Sequence, residues 1–327
     1  MSMNDPLQSE HFKLHQLADG VYAAIATELG AGFSNAGLID LGERTLVFDA
    51  FENPLAAEDL LIASQQLTGR NPSTVILSHW HPDHWGGLQV FADSSILATP
   101  ETRTAMIPLC IEMLKDRQDP SRMEQALRET EAQLAVETEP TKCHTLQVSI
   151  ARQRHDLAAL PTLEPTLSNQ TFTGKMVFYG SLRSVELIAT GKGHTTSDCL
   201  LRLPQERVAF IGDLGFFQSQ PFMPYGFPAK WVKLLNEMAG WDINTFVPGH
   251  GPLGSKADLV REAEYILALE ALVAQVVQAG GSVEDALRQH LPAPFDTWQA
   301  IGHRFEANVR ASYRRKSAAM RKKPTKA

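Results

Sequence analysis

One short block constrains this chain more than any other feature of its sequence. Residues 78–87 read SHWHPDHWGG and hold three histidines and one carboxylate within six positions. Given the His and Asp content of the 327-residue chain, a His-x-His-x-Asp-His pattern would arise by chance in about 6 of 10,000 such sequences, so we read it as a motif. A fold that contains this block must gather several polar side chains at one place.

The spacing within the block indicates where its side chains point. The block follows a short apolar strand, and side chains alternate along extended backbone, so His79 and His81 project to the same side and can chelate one metal ion. Pro82 turns the chain and directs Asp83 and His84 elsewhere, where they can serve a second ion. Imidazole and carboxylate ligands suit zinc, and also iron or manganese.

Two metal ions need more ligands than the block supplies, and four further candidates follow predicted strands. They are Asp49 after the strand at 45–48, His194 after 185–189, Asp213 after 208–211 and His250 after 245–247. A ligand on a loop at a strand end is positioned by the rigid sheet while it stays open to substrate. The sequence therefore predicts a metal site along one edge of a sheet structure.

The order of the other elements indicates the α/β fold class. The expected elements are strands at 21–26, 37–41, 45–48 and 73–78 with a helix at 56–67, then strands at 175–179, 184–189, 199–203 and 207–211 with helices at 228–239 and 256–279. Between the two series, the residues at helical spacing predict a helical insertion at about 101–160, which would form a cap over the pocket. We expect a single domain over 1–309.

Charge is distributed unevenly along the chain. The segment 310–327 contains eight of the 30 Lys and Arg residues and no acidic residue, so 1–309 carries 22 basic against 37 acidic residues, a balance of −15. Such a body would repel polyphosphate, so nucleic acid is not an expected partner. We expect 310–327 to be a solvated, flexible basic tail.

The cysteine content and the hydropathy of the sequence indicate the cellular compartment in which we expect the protein. Cys110, Cys143 and Cys199 lie far apart and favour neither a disulfide framework nor a Cys-x-x-Cys metal site. No apolar stretch approaches the ~20 residues that a membrane helix needs, and residues 1–20 lack the apolar core of a secretory signal. We expect a cytoplasmic protein with no membrane partner.

Together these motifs resemble the metallo-β-lactamase fold superfamily, in the branch described as Zn-dependent hydrolases including glyoxylases. The similarity covers about residues 15–280 and rests, in the family's order, on Asp49, the block at 78–87, His194, Asp213 and His250. It implies a four-layer αββα sandwich, in which two mixed sheets pack face to face and helices cover both outer sides.

The resemblance also implies a role for each candidate residue. The implied ligands are His79, His81 and His194 for the first metal ion, Asp83, His84 and His250 for the second, and Asp213 as the bridge between them. Asp49 would accept a hydrogen bond from a ligand histidine and fix its tautomer, and Asp198 matches another supporting position. Asp83 and Asp213 would be the catalytic residues, and Asp83 would also shuttle a proton.

A hydrolytic function is implied by the same resemblance. Two divalent metal ions, zinc in the first place and otherwise iron or manganese, would share a hydroxide that attacks an ester, lactone, thioester or related bond of a small-molecule substrate. Two alternatives stay open. The same ligands could hold iron for redox or oxygen chemistry, or a metal could stabilise a binding protein that has no catalytic activity.

Two departures from the family's β-lactamases argue against antibiotic hydrolysis. Those enzymes typically have Cys or Ser where this chain has Asp213. Some of them hold the substrate carboxylate with a lysine where this chain has Phe216, and no substitute cation is evident near Phe216 in the sequence. Esters, thioesters and lactones are therefore the favoured substrate classes.

Aromatic residues are concentrated after the proposed bridging ligand. Six of them fall within 216–231, whereas the chain's aromatic content of 8% predicts about one. The candidates for an apolar lip around a hydrophobic substrate are Trp80, Trp85, Phe216, Phe217, Phe222 and Tyr225. Tyr225 could also donate to an oxyanion. Core packing or a contact in a homodimer is the alternative interpretation.

Overall fold

Two mixed β-sheets lie at the centre of the molecule. The computed structural model describes residues 9–298 and 304–321, and the first sheet has seven strands in chain order. They are β1 (Phe12–Ala18), β2 (Val21–Ala26), β3 (Ala36–Asp40), β4 (Thr45–Phe48), β5 (Thr74–Ile76), β6 (Ser95–Ala98) and β7 (Gln170–Thr171). Strands β1 to β4 are antiparallel, whereas β4 to β7 are parallel. The carboxyl ends of β4 and β5 therefore lie at the same edge, next to Asp49 and the histidine block.

The second sheet has five strands in the order β12-β11-β10-β9-β8. They are β8 (Lys175–Tyr179), β9 (Ser184–Gly191), β10 (Asp198–Leu203), β11 (Val208–Phe216) and β12 (Thr245–His250). Only the β11 and β12 pair is parallel among these neighbours. Because β11 and β12 run in the same direction, Asp213 and His250 lie toward the same end of the sheet.

The two sheets pack face to face over a shared apolar core. Ile39 of β3 is buried in this core together with Leu201 of β10 and Phe210 of β11. Gly37 of β3 allows the sheets to approach closely, since a Cβ at this position would lie 2.5 Å from the Phe210 ring. Fully burying a Leu, Ile or Phe side chain stabilises a fold by ~1.5–3 kcal/mol, so this layer accounts for much of the favourable free energy.

Helices cover the outer face of each sheet. Leu38, the neighbour of Ile39, faces the opposite side and is buried with Leu60 of α1 (Pro54–Thr68). The outer face of the second sheet is covered by α5 (Pro228–Ala239) and α6 (Lys256–Gln278), whose Trp231 and Leu269 are fully buried. The resulting order of layers is helix, sheet, sheet, helix, which confirms the expected α/β fold class and four-layer αββα sandwich.

Three helices occupy the segment in which the sequence predicts a helical insertion. They are α2 (Pro100–Gln118), α3 (Ser121–Val136) and α4 (Pro140–Ala159). Thr99 caps α2 by accepting the N–H of Thr102, and Pro100 follows at the first helical position, where its missing N–H is not needed. On α4, Arg152 forms an ion pair with Glu52, which follows β4 in the chain. This pair ties α4 to the edge of the sandwich that carries the histidine block.

The basic C-terminal segment is not the flexible tail that its charge suggests, at least over 310–321. Helix α8 (Arg304–Arg321) follows the short α7 (Val283–Leu287), and its Val309 belongs to the buried core of the second sheet's outer layer. Arg315 and Lys316 both bind Glu270 of α6, at 3.0 and 2.7 Å. The expectation is wrong here because these basic residues are paired with acidic residues elsewhere in the fold. Residues 322–327 lie outside the described residues.

Among the described residues, none of the helices combines the length and the apolar character required to cross a bilayer.

Candidate metal centre

The candidate ligands come from four places along one edge of the sandwich. The block at 79–84 follows β5, His194 lies in the loop between β9 and β10, and His250 is the last residue of β12. Asp213 departs from the predicted position, because β11 continues past it to Phe216. Gly212, just before it, has a φ of +50°, and the β11–β12 register shifts here, so a local irregularity turns Asp213 toward the other ligands.

Four of these side chains form the first ligand group. His79, His81, His194 and Asp213 each offer a donor atom, and these atoms all lie within 4.8 Å of one another. Asp213 Oδ2 is 3.2 Å from His194 Nε2 and 3.6 Å from His79 Nε2. His81 Nδ1 is 2.9 Å from His194 Nε2. The spacing is compact enough for a single cation to contact all four.

The remaining three ligands form a second group beside the first. Asp83 Oδ2 lies 3.1 Å from His250 Nε2 and 3.5 Å from His84 Nε2. The other oxygen of Asp213, Oδ1, is 2.9 Å from His84 Nε2 and 3.4 Å from His250 Nε2. Asp213 therefore directs one carboxylate oxygen toward each group, which is the placement that the family resemblance implies for a bridging ligand.

The chemistry of this donor set fits two divalent cations. All seven side chains are buried, and the Nε2 atoms of His79, His81 and His84 have no hydrogen-bond partner of acceptable geometry among the described residues. Buried polar atoms without partners are costly, so such a convergence of nitrogen and oxygen atoms is unfavourable unless a ligand occupies it. Imidazole and carboxylate donors are those that zinc, iron and manganese accept.

The charges in the centre support metal ligation. Burial lowers the pKa of His81 to about 3, so this imidazole is neutral, as a metal ligand must be. Burial alone would raise the pKa values of Asp83 and Asp213, but the neighbouring histidines, chiefly His84 and His250, outweigh it and hold both well below the usual range. Both carboxylates are therefore ionised and available to a cation. Burial would lower the pKa values of His84 and His250, but the same carboxylates raise them, so a bound cation would replace the protons of these two imidazoles.

Two acidic residues support the ligands without joining them. Asp49 Oδ2 lies 2.8 Å from His84 Nδ1, and its Oδ1 accepts the N–H of Ser78 at 2.7 Å. This contact directs the Nε2 atom of His84 toward the centre. Asp198 instead accepts the backbone N–H of Thr195 at 3.0 Å. It thus shapes the loop beside His194, and no hydrogen bond joins Asp198 to a ligand histidine among the described residues.

Replacement of Asp49 by asparagine is expected to weaken metal binding ~10- to 100-fold, the usual cost of losing a partner of a ligand histidine. Asp49 has a φ of +60°, which asparagine tolerates, so the exchange keeps the backbone conformation and removes the charged acceptor of His84. Competition with a chromophoric chelator measures the affinity. Asp242→Asn, at an exposed carboxylate, is the matched control. An unchanged affinity in Asp49→Asn would limit Asp49 to supporting the loop.

A cavity of about 600 Å³ opens beside the two ligand groups. His81, Asp83, Asp213 and His250 line its floor. The cap helix α4 and the C-terminal helix α8 also contribute side chains to its wall, so two helices that carry no candidate ligand shape the site.

Four of the six aromatic residues proposed for the substrate pocket line this cavity. They are Trp80, Phe216, Phe222 and Tyr225. Trp85 and Phe217 lie outside the lining and are 1% and 2% exposed, which corrects their assignment to the pocket. Trp85 donates to Trp80 O at 2.8 Å from within the core, and Phe217 follows the end of β11, where adjacent side chains face opposite sides. Both residues are core residues.

Sequence reasoning missed the two cations of the cavity. Arg152 of α4 and Arg304 of α8 both line it, and Arg304 lies over the Phe216 ring at 5.0 Å from its centroid. The expectation that no cation substitutes near Phe216 is therefore wrong. No local pattern could have revealed Arg304, because it is far from every motif in the sequence and reaches the site only through the packing of α8.

Comparison with known proteins agrees with this geometry. A family model described as the metallo-beta-lactamase superfamily matches residues 29–250, which include every proposed ligand. The chain belongs to the metallo-β-lactamase superfamily. No curated protein gives a significant match to it.

Solved structures show how far the likeness in fold extends. A metallo-β-lactamase from Erythrobacter litoralis, with β-mercaptoethanol in its active site, gives a TM-score of 0.55 at 16% identity and covers 80% of this chain and 98% of that one. One from Pontibacter korlensis gives 0.54 at 15%, covering 78% and 99%. The sec-alkylsulfatase Pisa1 from Pseudomonas sp. gives 0.66 at 15%, covering 93% of this chain and 50% of that one. Identities this low show a shared fold and nothing finer.

Proposed function

We propose that this member of the superfamily is a metal-dependent hydrolase that cleaves an ester, lactone, thioester or related bond of a small molecule. The observation that carries the proposal is the placement of Asp213, which directs one oxygen to each ligand group at the floor of the cavity. A binding protein would have no need for such an open arrangement of ligands. Membership of the superfamily supports the same reaction class.

Divalent cations held by these residues would supply an activated water and an electrophile for the scissile bond. Asp83 lines the cavity as an ionised carboxylate, so it would accept a hydrogen bond from the attacking water and orient it. Tyr225 also lines the cavity, with its ring 5.0 Å from that of Trp80, and its hydroxyl would donate to the developing oxyanion. Trp80 and Phe222 would hold the apolar part of the substrate and exclude bulk water.

A reconstitution screen tests the proposal directly. Protein freed of metal is loaded with zinc, manganese or iron and assayed against a lactone, a thioester, a phosphodiester, a β-lactam and a secondary alkyl sulfate. The last is included because the fold resembles that of a sec-alkylsulfatase. We expect zinc-loaded protein to hydrolyse at least one substrate other than the β-lactam. Oxygen consumption by the iron form, with no hydrolysis in any metal form, would replace this proposal with redox chemistry.

A further inference from the structure

The cavity contains a buried cation that lacks a counter-ion. Arg304 lines the cavity and is 7% exposed. Its Nη1 donates to the carbonyl oxygen of Gln220 at 2.8 Å. Within the described ranges 9–298 and 304–321, no carboxylate forms a direct ion pair with its guanidinium group, and Asp213 and Asp83 act on it only at longer range. A buried charge without a direct partner is costly. A negatively charged group from outside the chain would complete the site.

Arg152, the other arginine of the cavity, has a carboxylate partner within the fold. Arg152 Nε donates to Glu52 Oε2 at 2.6 Å, and its Nη2 also contacts the Glu52 carboxylate. The guanidinium group of Arg152 covers the Phe33 ring at 3.5 Å from the centroid. The charge of Arg152 is thus already neutralised within the fold, so Arg304 is the cation with unused capacity to bind an anion.

Arg304 is fixed in position by the contacts of α8. One turn further along the helix, Asn308 accepts the N–H of Met223 and donates to the carbonyl oxygen of Pro221, both at 2.7 Å. These bonds attach α8 to the segment that carries Phe222 and Tyr225 on the cavity wall. The helix therefore fixes the position of Arg304 relative to Phe222 and Tyr225, and a preformed binding site requires such fixed positions.

The charge of Arg304 persists at neutral pH. Burial lowers its pKa to about 10, and the carboxylates of Asp213 and Asp83 partly offset this effect. Those two carboxylates are candidate metal ligands, and a bound cation would take up their charge. Arg304 lies over the Phe216 ring, and much of the cavity wall is apolar, with Trp80, Leu109 and Phe222 among its lining residues. The cavity thus offers, in Arg304, a fixed cation without a direct counter-ion beside an apolar part of its wall.

We propose that the cavity binds an amphiphilic anion, namely an ester whose apolar part packs against Trp80 and Phe222 and whose oxyanion binds Arg304. The reaction of this ligand rests on the proposed hydrolase function, whereas its binding does not. The guanidinium group presents N–H donors in a planar fork that matches carboxylate, sulfate and phosphate oxygens. Such a ligand supplies both the missing counter-ion and an apolar body for the wall.

Calorimetric binding of two matched probes tests the site without any turnover. Zinc-loaded protein is titrated with 1-hexanesulfonate and with 1-hexanol, which share an apolar chain and differ in charge. We expect the sulfonate to bind at least ~10-fold more tightly, since hydrogen bonds to charged groups are stronger than neutral ones. Equal affinities of the wild-type protein for the two probes would refute the anion site.

Variants assign the preference to Arg304. We expect Arg304→Gln to weaken sulfonate binding ~10- to 100-fold, so that its affinities for the sulfonate and for hexanol become more alike. Arg304→Lys keeps the charge, and we expect it to retain part of the preference for the sulfonate. Arg310→Gln is the control, because Arg310 lies on the same helix but pairs with Glu306 and Glu284 outside the cavity lining. A folded Arg304→Gln protein with the wild-type preference would place the anion elsewhere.

Two substrates then distinguish where the oxyanion lies in the molecule. The mono(4-nitrophenyl) ester of glutaric acid carries its charge away from the scissile bond, whereas in a secondary hexyl sulfate the charge belongs to the reacting group. We expect one of them to be hydrolysed with a kcat/KM that falls in Arg304→Gln at least ~10-fold. Tight sulfonate binding without hydrolysis of either would keep the anion site and remove the hydrolase proposal.

Discussion

Replacement of Asp213 by alanine is expected to lower hydrolysis of any accepted substrate at least ~100-fold, because losing even an indirect partner of a metal typically costs ~10- to 100-fold. Asp213 directs its two oxygens to different ligand groups, 3.2 Å from His194 Nε2 on one side and 2.9 Å from His84 Nε2 on the other. Its loss therefore affects both sites together. Steady-state kcat/KM and metal content per chain, measured on the same samples, check this expectation.

The matched control for this variant is Asp242→Ala. Asp242 is an exposed carboxylate that pairs with Arg207 at the surface, so its removal deletes the same chemical group away from the centre. We expect the control to keep wild-type metal content and activity within a factor of two or so, as surface substitutions usually do. If Asp213→Ala instead retained wild-type metal content and activity, Asp213 could not be the ligand that bridges the two groups.

The convergence of the candidate ligands was predictable because four of them form a local pattern and the others follow predicted strands. Three histidines and Asp83 lie within six positions, and the other ligands lie at or near the ends of apolar strands. The alternation expected of an extended segment after β5 and the turn at Pro82 predict the side-chain directions within the block without any knowledge of the fold. The sequence did not reveal the length of β11, which runs past Asp213 to Phe216 with an irregularity at Gly212, where φ is positive.

The sequence did not predict strands β1, β6 and β7, because their residues show no clear alternation of apolar and polar side chains. β6 and β7 have four and two residues, too few for any alternation to stand out, and both Gln170 and Thr171 of β7 are exposed. β1 lies at the edge of its sheet and mixes exposed with half-buried side chains, so its sequence lacks a clear apolar face. Only pairing with β2, β5 and β6 shows that these segments are strands.

The role of α8 depends on packing that its composition conceals. Its buried residues are Arg304, Asn308, Val309, Ala311 and Ser312, and all of them except Val309 are polar or small. Val309 packs into the core of the second sheet's outer layer. The net positive charge of 310–327 suggested a solvated end instead. A helix that binds through hydrogen bonds and ion pairs is recognisable only once its partners are known.

Loading the metal-free protein with zinc is expected to raise its Tm by roughly 10 °C. A ligand at 1,000 times its Kd stabilises the native state by ~4 kcal/mol, and 1 kcal/mol corresponds to ~2–4 °C for domains of 150–250 residues. The physical cause is the convergence of buried donor atoms, among them the unpaired Nε2 atoms of His79 and His84, which a cation would satisfy. Thermal unfolding followed by circular dichroism, before and after chelation, measures the shift.

The variants locate the origin of this stabilisation. Asp242→Ala should show the full zinc-dependent shift, since its side chain is remote from the ligands, whereas Asp213→Ala should lose most of it. A shift of wild-type size in Asp213→Ala would mean that zinc binds elsewhere on the chain. An identical Tm with and without zinc in the wild-type protein would mean that the seven ligand side chains are stable together without a cation, and the metal centre would have to be rejected along with the hydrolase proposal that depends on it.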